Sequence, residues 1–139
     1  MTDVLNFVLE KNFAVSSDVL FQAFLDEAVL TEIWGVQSLT IKSRKVGGQA
    51  IARYMVGPDD WSFTLTYTEL KPNESLGWAV QFSGFPDKEI KASLRFQVAA
   101  KGCQLRVCLE QFATPQERDA NAKAWQKALT ILENIFIIH

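Results

Sequence analysis

The chain has 139 residues, 48% of them hydrophobic and 12% aromatic, enough for one packed globular domain spanning 1–139 and far from the composition of a disordered segment. A net charge of −2 argues against nucleic-acid or anionic-membrane partners, which call for a basic surface. No apolar run approaches the length of a membrane span, and Met1–Val4 lacks the basic start of a signal peptide, so a cytoplasmic protein is expected.

Leu5, Phe7, Leu9 and Phe13 alternate within a first strand from Val4 to Val15, with Lys11 on the same face. Ser16-Ser17-Asp18 offers helix N-cap chemistry to a first helix whose apolar side holds Val19, Leu20, Ala23 and Phe24 and extends toward Glu27-Ala28. A second helical piece covers Leu30 to Ile33 and stops at Trp34-Gly35. Strands are then expected at Leu39–Arg44 and Gln49–Val56, joined by a Val46-Gly47-Gly48 turn. Gly57-Pro58-Asp59-Asp60 is a hairpin turn. Trp61, Phe63, Leu65 and Tyr67 alternate with Ser62, Thr64, Thr66 and Thr68, the pattern of a half-buried strand. Pro72-Asn73-Glu74 turns the chain, and Leu76, Trp78, Val80 and Phe82 form the next inner face. After a break at Gly84–Asp87, Ile90, Ala92, Leu94, Phe96 and Val98 follow, and then Cys103, Leu105, Val107 and Leu109. Cys103 and Cys108 are an odd number apart in one strand, so they face opposite ways and do not pair. From Thr114-Pro115 the period changes to helical, with Trp125, Ala128, Leu129, Leu132, Ile135 and Phe136 on one stripe.

The expected architecture is therefore α+β: a curved antiparallel sheet of six or seven strands wrapped around a long C-terminal helix, with two short helices after the first strand. This order resembles the helix-grip fold of the START-like superfamily. Within it the chain is similar to the activator of Hsp90 ATPase homologue 1-like family. The likeness rests on Val15–Phe24, on Leu30–Gly35, on Gly47-Gly48 and on Trp125–Leu132. Ala124-Trp125 stands where that family shows Gly-Trp, and Gly102-Cys103 where it shows Gly-Thr. The resemblance implies a fold and, from one branch, a co-chaperone type of protein interaction; none of its motifs is catalytic.

Catalytic signatures are lacking. The single histidine, His139, is the last residue of the chain, which speaks against a histidine triad or a histidine metal site, and no Cys-x-x-Cys, Gly-x-Ser-x-Gly or phosphate loop occurs. No metal and no redox cofactor is expected. Asp59-Asp60 reads as a solvated turn, while Glu10, Glu27 and Glu69 fall near apolar faces, where burial would raise a carboxyl pKa. The aromatic residues carry more. Trp34, Trp61, Phe63, Tyr67, Trp78, Phe82, Phe96, Trp125 and Leu129 fall on faces turned toward the space between sheet and helix. They either fill it or line a cavity for an apolar or aromatic small molecule. Tyr67, Tyr54 and Arg53 are the candidate polar groups, and only one of the neighbours Arg53 and Tyr54 points inward. Three classes follow: a small-molecule binding domain, a protein-interaction module, and, weakest, a cyclase- or hydrolase-like enzyme for which no nucleophile–base pair can be assembled. The assembly is expected to be a monomer or homodimer. Entry to a cavity is expected near the Trp34 loop and the Gly57–Asp60 turn.

Overall fold

The computed structural model describes residues 5–83, 85–112 and 114–138. The order is β1 (Leu5–Phe13), α1 (Ser17–Ala23), α2 (Glu27–Trp34), β2 (Ser38–Ile41), β3 (Gln49–Val56), β4 (Asp59–Lys71), β5 (Ser75–Phe82), β6 (Phe85–Ala99), β7 (Gly102–Phe112) and α3 (Pro115–Ile138). The seven strands form one sheet in the order β1-β7-β6-β5-β4-β3-β2, every neighbouring pair antiparallel. One apolar face of this sheet is covered by α1, α2 and α3; the other is polar, as the alternation requires.

Local chemistry sets the helix ends. Asp26 caps α2 by accepting the Ala28 and Val29 amides at 2.9 and 3.2 Å, so Glu27 and Ala28 open the second helix rather than closing the first. Gly35 ends α2 at φ 63. The Thr114 hydroxyl accepts the Glu117 amide at 3.1 Å and starts α3 with Pro115 in its first turn. Lys11, awkward on an apolar face, is explained by α3: its ammonium lies 3.5 Å from the Glu133 carboxylate. Phe13 meets Phe136 edge-on at 6.1 Å nearby.

Some expectations need correction. Val19 is exposed, because the two turns of α1 present Leu20, Phe21, Ala23 and Phe24 to the sheet instead. Val98 is 79% exposed: β5 begins at Ser75 opposite Arg95, so the end of β6 runs past it. β2 stops at Ile41, and Arg44 leaves the strand to donate to the Leu25 carbonyl at 2.9 Å. Strand β4 already begins at Asp59, which shortens the expected hairpin turn. Of the expected break at Gly84–Asp87, Gly84 lies outside the described residues and the backbone from Phe85 belongs to β6. Val4 and His139 also lie outside them.

The sheet bends where its ladder slips. One slip falls at Thr68, between Tyr67 and Glu69, and another at Gln111, whose φ is 77. Bulges of this kind increase local twist and re-aim side chains. They let the sheet curl around α3.

Candidate functional site

Three tryptophans from three elements meet under α3. Trp34 from α2 stands edge-on to Trp78 of β5 at 5.7 Å and to Trp125 of α3 at 5.9 Å, and Trp78 and Trp125 lie 6.5 Å apart. Phe24 supports the cluster from below, 6.4 Å from Trp78 and 6.5 Å from Trp125. Flat rings meeting edge to face leave gaps unless neighbouring side chains are large enough to fill them. Here the small residues Ala92 and Ala124 sit beside the rings and widen the gap. The outcome is a recess of about 290 Å³ between sheet and helix. Its walls are Trp34, Val36, Tyr54, Phe63, Leu65 and Trp78 on one side, with Val80, Phe82, Ile90 and Leu109 along the sheet and Asn121, Ala124 and Trp125 along α3. A second, outer recess of about 190 Å³ shares Tyr54, Phe82, Ile90 and Asn121 with the first and adds Trp61, Gln111 and Glu117.

Six residues expected from the sequence thus border one space: Trp34, Tyr54, Phe63, Trp78, Phe82 and Trp125. The choice between Arg53 and Tyr54 falls to Tyr54, since Ala50 and Ala52 are buried on its face and Arg53 is exposed. Burial raises the Tyr54 phenol pKa above its ordinary value. Trp61 borders the outer recess only. Tyr67, Phe96 and Leu129 line neither. Phe96 is held edge-on by Phe21 at 5.4 Å and Phe24 at 6.0 Å, under α1 rather than α3. Leu129 is buried one turn beyond Trp125. Of the two places expected to flank an entrance, Trp34 lines the inner recess, whereas no residue of Gly57–Asp60 lines it.

Tyr67 is fully buried, and burial raises its phenol pKa, an effect that Trp78 Nε1 beside it partly opposes. The two groups are not aligned as a hydrogen bond, and neither has another partner among the described residues. A buried hydroxyl without a partner destabilises. Tyr67→Phe is therefore expected to leave stability unchanged or raise it by up to about 1 kcal/mol, read from urea unfolding. A loss above about 1 kcal/mol would mean that the hydroxyl is hydrogen-bonded in solution.

Glu27, one of the carboxylates near an apolar face, accepts the Ile41 amide and ties α2 to β2. Glu10 and Glu69 are peripheral, beside Arg106 and Lys71.

This architecture can be set against known proteins. Residues 14–136 match the family model of activator of Hsp90 ATPase homolog 1-like proteins. The chain belongs to that family. Among solved structures this family member is similar to protein CV1439 from Chromobacterium violaceum, with 19% identity and a TM-score of 0.79 over 94% of this chain and 96% of that one. It is similar to Mll3558 from Rhizobium loti, with 16% identity and a TM-score of 0.80 over 96% and 99%. It is also similar to Ara h 8.0201, with 14% identity and a TM-score of 0.81 over 99% and 100%. At these identities the likeness speaks for the fold, a curved antiparallel sheet gripping a long C-terminal helix. No curated protein matches the chain.

One polar wall residue of this activator of Hsp90 ATPase homolog 1-like protein was missed from sequence. Asn121 lies one turn before Trp125, so the four-residue spacing that puts two helical side chains on one face could have found it. Its amide nitrogen donates to the Glu117 carbonyl at 2.8 Å.

Proposed function

We propose that this protein is a small-molecule binding domain that takes an apolar or aromatic ligand between the sheet and α3. The observation that carries this reading is the lining of the inner recess: apolar and aromatic but for Tyr54 and Asn121, with no charged side chain among its described residues. Apolar pockets with a few placed polar groups are the usual form of small-molecule sites. The fold family commonly binds hydrophobic ligands, in agreement with this reading. The protein works in the cytoplasm on this view, with Cys103 and Cys108 as free thiols on opposite faces of β7.

Ligand binding only the folded state should stabilise it by about 2.7 kcal/mol at a hundredfold excess over Kd. A screen of aromatic compounds, flavonoids, sterols and fatty acids, read by melting temperature and tryptophan fluorescence, is expected to give hits that move both. Ala92 faces the recess from β6 between Trp78 and Leu109. Ala92→Leu should therefore abolish those hits while the variant stays folded, since the added methylenes enter open space. A screen that moves neither signal for the unmodified protein would reject the binding reading, and a protein-interaction module would take its place.

A further inference from the structure

We infer that the ligand is a neutral, flat aromatic of about two fused rings carrying a hydrogen-bond donor at the mouth of the recess, an inference that rests on the binding function proposed above. Volume sets the size. An apolar protein cavity of about 150 Å³ accepts benzene. The inner recess, at about 290 Å³, is close to twice that. Two fused rings fill it; a four-ring sterol or a long acyl chain would have to reach past it into the outer recess beside Glu117. Ring shape suits the walls as well, because Trp34, Trp78, Trp125 and Phe63 offer faces and edges to stack against rather than a flexible aliphatic tube.

Charge sets the second limit. No Lys, Arg or His occurs among the described residues of either recess, and the charged side chain bordering the outer one is Glu117, an acid. A carboxylate ligand would be desolvated there with no cation among the described lining residues to receive it.

The polar groups set the third. Asn121 and Tyr54 border both recesses and so mark the passage between them. One N–H of the Asn121 amide is committed to the Glu117 carbonyl, which leaves its Oδ1 to accept and its second N–H to donate. A ligand O–H or N–H is what the oxygen takes. Gln111, held at φ 77 by the β7 bulge, adds a second neutral amide at the outer end.

Isothermal titration calorimetry of the full chain tests all three limits with 2-naphthol, 2-methoxynaphthalene, 2-naphthoate and cholesterol. 2-Naphthol should bind tightest. The methyl ether, equal in rings but without the donor, should bind roughly tenfold more weakly, the worth of one hydrogen bond. 2-Naphthoate and cholesterol should give no measurable heat of binding. Asn121→Leu should collapse the difference between the naphthol and its ether to less than about twofold; Asn121→Ala, which keeps helix propensity, repeats the test if the leucine variant does not fold. Equal affinity for naphthol and ether in the unmodified protein would overturn the donor assignment. Tighter binding of cholesterol or naphthoate would overturn the size or charge limit. In both cases the binding function itself would stand. If neither the naphthalenes nor any compound of the wider screen bound, that function would fall together with the inference.

Discussion

Trp125→Ala is expected to lower the free energy of unfolding by about 3–5 kcal/mol, the range for removing a buried large aromatic ring. The ring is 8% exposed and is held by Phe24, Trp34 and Trp78 at 5.9 to 6.5 Å between centroids. It also joins α3 to α2 through Trp34 and to β5 through Trp78. Because one side of the ring borders the recess, its removal would merge the new void with an existing one instead of letting neighbours collapse into it. That favours a large effect, since the cost of such deletions rises with the cavity left behind. Urea unfolding of the variant gives the number directly. Trp125→Phe keeps most of the ring contact and should lose clearly less. A loss below about 1 kcal/mol for the alanine variant would mean that α3 is held by its later turns alone.

A single methyl group at the β6–β7 turn should be almost as damaging. Gly102 has φ +150, a conformation that side chains rarely adopt, and a Cβ there would collide with the Phe13 carbonyl oxygen and lie 3.1 Å from the Ala14 Cα. The obstacle is backbone, so no rotamer change relieves it. Either the start of β7 or the end of β1 must move, and Phe13 pairs with Cys103 at that point. Gly102→Ala is expected to cost about 3 kcal/mol, with a matching fall in melting temperature. Gly57→Ala is the control. It too has a positive φ, +60, but its Cβ would meet nothing within 4 Å. It should cost only about 1 kcal/mol, and similar losses at the two sites would show that steric contact with β1 is not what matters.

The sheet and long helix were legible because each obeys one period over many residues. Trp61 to Thr68 alternates without a fault, and Trp125, Ala128, Leu129 and Leu132 keep helical spacing, so both elements appear where the pattern puts them. Lys11 broke the pattern and left the register of β1 open near its centre; the structure supplies the missing reason, a Glu133 partner on α3. What the pattern could not supply was the third dimension. Phe96 and Phe63 occupy equivalent inward positions on their strands. The first lies under α1 and is sealed by Phe21, while the second faces the recess beside Trp34. Only the crossing of the helices over the sheet separates them, and no local period encodes that crossing. Tyr54 and Asn121 show the same limit for polar groups. The first was one of two neighbours with no local reason to prefer either, and the second lay in a helical stretch read only for its apolar stripe.

The strand order also governs the timing of folding. β1 is made first, yet its sheet neighbour is β7, with Leu9 opposite Val107 at a separation of roughly a hundred residues. The other strand pairs are consecutive hairpins or near neighbours in the chain and can close as they emerge during synthesis. β1 cannot pair, and Lys11 cannot reach Glu133, until the end of the chain has been made. Its apolar face of Phe7, Leu9 and Phe13 waits uncovered throughout, next to an unpaired strand edge open to a second copy. Slow or crowded synthesis is therefore when this protein is most exposed to aggregation, until β7 pairs one edge of β1 and α3 covers its apolar face.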